Sequence, residues 1–347
     1  MPPDPPPAAL RLRIDREALA GNWQVLDRLS GAARAGAAVK ADGYGIGART
    51  AVPVLHAAGC RDFFVAHWRE AAELLDLVDP QSISVLHGPL TAADAAWAKA
   101  TGLRPVINSL GQARLWLDAG GGPCDLMVDT GINRLGLPLS DLADPTIARL
   151  EIDILMSHLA CADEDSPLNP RQLAHWRDAR QHLRHRRASL ANSAGIALGA
   201  DFHGDLTRPG LSLYGGVPRP ELVGHIRQVA YPQAAIMQVR QLSAGDSVGY
   251  NARFVASHDM RVAVIALGYA DGYLRCWSDH GAMTAAGCSL PVLGRVSMDM
   301  TVIDVSSAPD LREGDWVEAA YNLPEASTRS GLSQYELLTL LGSRFAR

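Results

Sequence analysis

Only two of the 32 basic side chains in this 347-residue chain are lysines, Lys40 and Lys99; the rest are arginines. A guanidinium cannot form an imine, so a lysine that persists against such a bias is where amine chemistry is to be sought. Lys99 lies in a mixed polar segment, 91–101, and reads as a solvated charge. Lys40 ends the small apolar run Ala37-Ala38-Val39 and leads into the glycine-broken loop Asp42-Gly43-Tyr44-Gly45. A partly buried amine at such a place has a depressed pKa and becomes nucleophilic near neutral pH, as a Schiff-base lysine must. The plainer alternative is a rim lysine paired to a carboxylate.

A second group couples Ala191-Asn192-Ser193-Ala194-Gly195 with Arg208-Pro209-Gly210 and Tyr214. Small residues, a hydroxyl and bare backbone N–H groups after the last strands of a barrel are what a phosphate site uses. Two ordinary Gly/Ser turns would read the same way.

The elements that must position these residues follow a rhythm. Leu10 to Ile14 alternates like an edge strand, and Arg16 to Leu29 reads as a helix. Short apolar runs then recur at 37–40, 63–67, 83–87, 104–108, 126–129, 154–158, 188–192 and 205–208, mostly separated by helical stretches such as 91–101 and 110–119. Eight strands alternating with helices predict an α/β fold, a closed (β/α)8 barrel of the TIM type rather than an open doubly wound sheet. Lys40, His67, His87, Asn108, Asp129, His158, Asn192 and Arg208 all fall at the C-terminal ends of these runs. In a barrel those ends converge on one mouth, where active sites form.

From about residue 228 the texture changes to short apolar runs (234–239, 261–267, 291–296, 300–305) among Gly, Ser, Asp and Pro turns, with few helical stretches before 334–341. The expected organisation is a disordered proline-rich head over 1–9, a barrel over 10–227 and a β-rich C-terminal domain over 228–347. Strand 10–14 has packing on the C-terminal domain as its alternative.

Composition bounds the function class. With 48% hydrophobic and 20% charged residues the chain reads as a globular enzyme, neither disordered nor fibrous. A formal net charge of −5 gives no electrostatic reason to expect nucleic acid. The run Arg184-His185-Arg186-Arg187 reads as the polar end of a helix. Cys60, Cys124, Cys161, Cys276 and Cys288 contain no CxxC pair, which argues against a disulfide framework or a structural zinc site, and no metal is expected. The N-terminus lacks the basic start and apolar core of a signal peptide, and no apolar run approaches the ~20 residues of a membrane span. The expectation is a cytoplasmic protein without membrane contact.

Val39-Lys40-Ala41-Asp42-Gly43-Tyr44-Gly45 resembles the pyridoxal-phosphate attachment motif of alanine racemases. The resemblance continues, in family order, through 128–136 (Val-Asp-Thr-Gly-Ile-Asn-Arg-Leu-Gly), 157–164, 191–193, 208–210, 248–250 (Val-Gly-Tyr), 268–273 and 294–299 (Gly-Arg-Val-Ser-Met-Asp), nearly the whole chain. It implies a pyridoxal-phosphate barrel with a C-terminal β domain, working on a small amino acid as a head-to-tail homodimer with two composite sites. By position Lys40 would hold the cofactor and act as base on one face of the substrate, and Tyr250 would be the opposite base, from the partner subunit. Stereochemical inversion requires such a pair, one base removing the α-proton and the other returning one from the far side.

An unperturbed phenol has a pKa of about 10. The resemblance therefore implies a Tyr–His–Arg chain through His158 and Arg208 that lowers it. Arg208 would also contact the pyridine nitrogen; as a permanent donor it leaves that nitrogen unprotonated, which weakens the electron sink and favours proton exchange over transamination. The phosphate would lie among Tyr44, Ser193 and the backbone of Gly210 and Leu211. Arg134 would take the substrate carboxylate with the Met298 backbone N–H, and Tyr269 would line the entrance. Read without the resemblance, Tyr250 is a half-buried turn tyrosine, Met298 is strand core and Arg208 anchors a turn.

Two departures stand out. Met127 occupies the place of a lysine that in many relatives orients the arginine matched by Arg134, so Asn133, an anion or a carboxylate must serve here. The segment 342–347 shows no tyrosine where some relatives have one. The implied activity is interconversion of L- and D-alanine, supplying D-alanine for peptidoglycan. The alternatives are a serine or broad-specificity amino-acid racemase and a non-catalytic pyridoxal-phosphate-binding protein. The second lacks a domain carrying Tyr250 and Met298. A related decarboxylase would need an acidic partner where Arg208 stands.

Overall fold

The computed structural model describes residues 6–347, so the head expected over 1–9 lies partly outside the described residues. Pro6 to Ala9 are exposed and without regular structure. The described residues divide into two compact units, Arg16–Arg227 and a second made of those up to Asp15 together with Gln228–Arg347.

The first unit is a parallel barrel. Its strands are Arg34–Ala35 continued by Ala37–Ala38, Phe63–Val65, Ile83–Val85, Arg104–Ile107, Pro123–Asp129, Glu151–Met156, Arg187–Ser189 and Leu206–Thr207. Each pairs in parallel with the next from Ala37↔Phe63 round to Ala188↔Leu155, and Leu206↔Arg34 closes the ring on the far side. The seam between the last two strands is held by Asp205 N–H to Ala188 O (2.7 Å) and Arg208 N–H to Ala191 O (2.8 Å). Phe63–Val65, Ile83–Val85 and Arg104–Ile107 are buried at every position, as strands covered on both faces must be.

The intervening helices bury one stripe and carry explicit caps. Arg16–Leu29 buries Ala18, Leu19, Asn22, Trp23 and Leu26 at three- and four-residue intervals. Ala92–Thr101 starts at a capping box between Thr91 and Asp94 and stops at Gly102, whose φ of 79° suits glycine. Lys99, read as a solvated charge, is exposed but donates to Gly121 O at 2.6 Å, tying its helix to the next loop.

The basic run at 184–187 does not cap a helix. The helix Leu168–His182 ends before it, and Arg187 begins a barrel strand. Arg187 and Arg104 together clasp Asp62 and Asp153 at the N-terminal end of the barrel, with Arg104–Asp62, Arg187–Asp62 and Arg187–Asp153 contacts of 2.9, 2.8 and 2.8 Å. That end is remote from Lys40, which follows the C-terminal end of its strand.

The second unit is an antiparallel sheet. Leu10–Ile14 pairs along Ala230–Leu242 with Leu10 and Leu12 inward and the two arginines outward. Ala230–Leu242, Met260–Ile265, Thr301–Asp304, Cys288–Leu293, Ala282–Ala285 and Trp316–Ala319 follow in that order, and the last returns to pair with the first. Strands 282–285 and 316–319 and the helix Leu323–Ser330 escaped the sequence reading, each being short and interrupted by polar residues.

Candidate active site

All eight polar residues expected at the C-terminal strand ends lie at or within three residues after a barrel strand. Lys40 opens an unusual turn. Ala41, Asp42, Gly43 and Tyr44 all have φ between 52° and 62°, one left-handed helical turn in which only one residue is glycine. Each of the other three costs about 1–2 kcal/mol in that conformation. The turn is held by Gly43 N–H to Val39 O (2.8 Å), Gly47 N–H to Asp42 O (2.8 Å), Ala48 N–H to Asp42 Oδ1 (2.7 Å) and Ala41 N–H to Glu70 Oε1 (2.7 Å). Burial pushes the Lys40 amine below the ordinary lysine range; Arg134 and Arg208 push the same way and Glu70 opposes them. Burial and the two arginines thus outweigh the one carboxylate named beside Lys40.

The turn delivers Tyr44 to a cradle formed by the last two barrel loops. Its ring stacks on Tyr214 with centroids 4.8 Å apart, and Tyr214 donates to Ala38 O at 2.9 Å. Ser193 Oγ accepts from Gly210 N–H (2.9 Å) and Ser212 N–H (3.2 Å), fixing the loop that contains Leu211. Gly210 packs directly under Tyr44, and a Cβ there would meet the Tyr44 hydroxyl at 2.2 Å, so a larger residue must displace the ring. Ser212 Oγ is fully buried without a hydrogen-bond partner among the described residues. A hydroxyl pair, a glycine approach and an orphaned buried polar atom fit a phosphate-bearing group.

Arg208 is buried, and its guanidinium donates to Ser189 Oγ, Ser157 O and Leu190 O. Burial lowers its pKa to about 10, so it keeps its charge at neutral pH, and the charge of Asp125 supports it. His158 is pushed down to about 3, by burial first and then by Arg208, Arg134 and Lys40. It is therefore neutral at working pH. Arg208, rather than His158, is therefore the charged member of this buried pair.

Arg134 is exposed at the same mouth, after a loop organised by Asp129. Asp129 Oδ1 accepts from the N–H groups of Gly131, Ile132 and Asn133 at 2.8, 3.0 and 3.2 Å. Met127 is buried in the strand, and none of the carboxylates among the described residues pairs with Arg134. Some strand-end residues serve the scaffold instead. Asn108 bonds Leu86 O and Val106 O, Asn192 caps the short helix after it, and His67 and His87 stack edge to face at 4.3 Å.

Tyr250, Tyr269 and Met298 belong to the second unit. Tyr250 follows Gly249, whose φ is 69°, and is 66% exposed, not the half-buried turn residue of the plain reading. Met298 is 53% exposed in a loop rather than strand core. Tyr269 N–H donates to Ser297 O and Ala270 N–H to Met298 O, both at 3.0 Å, so the two loops are tied to each other. Arg344, unremarked in the sequence, joins them by ion pairs to Asp271 (2.7 Å) and Asp299 (2.8 Å). Glu70 was likewise missed, although a glutamate three residues after a strand end is a capping signal.

Residues 14–218 match the family model described as "Alanine racemase, N-terminal domain", and 229–347 match "Alanine racemase, C-terminal domain". A curated "Alanine racemase" of Rhizobium meliloti is 41% identical, covering 98% of this chain and 96% of that protein. An "Alanine racemase, biosynthetic" of Agrobacterium fabrum is 40% identical over 98% and 93%. Among solved structures, an alanine racemase from Bartonella henselae with covalently bound pyridoxal phosphate superposes with a TM-score of 0.89 at 35% identity, covering 98% of this chain and 99% of that one.

Proposed function

The chain belongs to the alanine racemase family, and from that premise we propose that Lys40 and Tyr250 are the two bases that interconvert L- and D-alanine in it. The protein is an amino-acid racemase, and its cofactor is pyridoxal phosphate. The observation that carries our assignment is the pairing of a depressed Lys40 amine with the Tyr44–Ser193–Gly210 cradle at one barrel mouth.

Lys40 would hold the cofactor through Nζ, with the phosphate among Tyr44 Oη, Ser193 Oγ and the Gly210–Leu211 backbone. Arg208 would donate to the ring nitrogen. When bound, the cofactor supplies the electron sink that makes the α-proton of alanine removable. Arg134 and the Met298 N–H would hold the substrate carboxylate and so fix which face of Cα each base addresses. Lys40 Nζ then moves a proton on one face and Tyr250 Oη on the other. Each positioned base is worth about 10²–10⁴-fold in rate. The buried charge of Arg208, relayed through neutral His158, favours the Tyr250 phenolate.

Tyr250, Tyr269 and Met298 would reach this site from a second copy of the chain, in a homodimer with two composite sites. The exposure of Tyr250 and Met298 in a single chain supports that reading. No helix among the described residues is long and apolar enough to cross a membrane. We place the reaction in the cytoplasm, feeding D-alanine to peptidoglycan precursors.

The test is a chiral assay of purified protein with pyridoxal phosphate and L-alanine or L-serine, followed to equilibrium. Alanine approaching an equal mixture, faster than serine, is the expected result. A flat alanine trace with serine racemised would overturn the substrate, and absence of cofactor binding would overturn the role of Lys40.

A further inference from the structure

We propose that Glu70 is a positioning residue for Lys40, clamping the left-handed turn that carries the lysine to the neighbouring strand-end loop. The proposal rests on the cofactor-holding role assigned to Lys40. Glu70 is the third residue of the short helix Trp68–Ala72, and a glutamate there ordinarily caps its own helix. One oxygen does that: Oε2 accepts from Ala66 N–H at 2.7 Å and His67 N–H at 3.1 Å. The other does what no cap requires. Oε1 crosses to the preceding strand's loop and accepts from Ala41 N–H, the amide next to Lys40, at 2.7 Å.

Of the hydrogen bonds named above for this turn, the others come from residues 39–48 themselves; Glu70 anchors it to a different strand–helix unit. A turn with three non-glycine residues in the left-handed region relaxes unless its surroundings hold it. If Ala41 relaxes, the Cα of Lys40 and the aim of its Nζ change, and so does Tyr44 three residues on. The same carboxylate favours the ammonium form of Lys40 against Arg134 and Arg208. Glu70 thus sets both the direction of the amine and part of its basicity without touching substrate.

The shortened variant Glu70→Asp separates the two functions, since it keeps a charge near the helix start but cannot span to Ala41. Amide hydrogen exchange on the holoenzyme, resolved over 41–48, is measured together with kcat and KM for alanine and with the melting temperature. Loss of one charge-assisted hydrogen bond predicts about ten- to hundredfold faster exchange confined to this segment. The kcat falls by about tenfold, KM stays nearly unchanged, and Glu70→Gln recovers part of the loss in exchange protection. Unchanged exchange at 41–48 would overturn the clamp, as would an equal acceleration across the whole barrel, which marks a merely structural role. Lys40→Ala in parallel isolates the premise: covalent cofactor persisting in that variant refutes the role of Lys40, whereas the exchange result judges Glu70 alone.

Discussion

Tyr44 and Gly210 are packed so closely that a Cβ on residue 210 would lie 2.2 Å from the Tyr44 hydroxyl. The contact joins the turn after the first barrel strand to the loop after the last, across the seam where the barrel closes. Gly210→Ala should therefore push Tyr44 off Tyr214 and spoil the cradle. The overpacking cost is about 1–3 kcal/mol, and pyridoxal-phosphate affinity measured by equilibrium dialysis should fall by about ten- to hundredfold. Unaltered affinity would remove this contact from the cofactor site.

The two bases should separate cleanly. Lys40→Ala should abolish covalent cofactor attachment, read by visible absorbance and intact mass. Tyr250→Phe should retain the cofactor yet lose about 10²–10⁴-fold in racemisation. Full activity in the phenylalanine variant would take the tyrosine out of the mechanism.

Asp129 holds the loop before Arg134 through three amides, and Asp129→Ala should release it. The expected result is a KM for alanine raised by roughly tenfold or more, the value of a hydrogen bond to a charged group, with cofactor absorbance unchanged. Asp129→Asn keeps an acceptor oxygen and should fall between the two. A KM unaffected in both variants would mean that Arg134 is oriented by something else.

Stability of the cofactor-free protein should depend on pH through His158. Folding holds its imidazole neutral, with a pKa near 3 against an ordinary 6.5. Between those values the unfolded chain binds the extra proton, so stability rises with pH across that window and is lost as pH falls through it. Denaturant titrations at several pH values should show a shallower slope in His158→Gln than in the parent. Equal slopes would show that the imidazole titrates normally.

At the other end of the barrel, Arg104 shares Asp62 and Asp153 with Arg187 in a buried cluster. Removing one partner of such a cluster costs about 3–5 kcal/mol, because charge is left uncompensated. Arg104→Met should lower the unfolding free energy by about that amount in urea while leaving kcat intact. A large kcat loss at full folding would tie this end to catalysis.

Much of this protein is written in local sequence. Eight apolar runs ending in polar residues fixed the barrel and the mouth, because strand burial and strand-end chemistry are both local signals. The scarcity of lysine singled out Lys40, and the motif around it, with seven others in order, carried the family. What local sequence could not supply was which polar strand-end residue does chemistry and which holds the scaffold. Asn108 and Asn192 look like Lys40 and His158 until their hydrogen bonds are seen.

Tertiary structure decided the rest, since each remaining property is a sum over groups distant in the chain. Burial among Arg208, Arg134 and Lys40 makes His158 neutral, which no spacing reveals. Arg187 left the helix end where its charged neighbours suggested it lay, because two aspartates 125 and 34 residues away share its charge in the barrel. Glu70 wrote only a capping signal into the sequence. Its second oxygen found Ala41 because parallel strands set the two loops side by side.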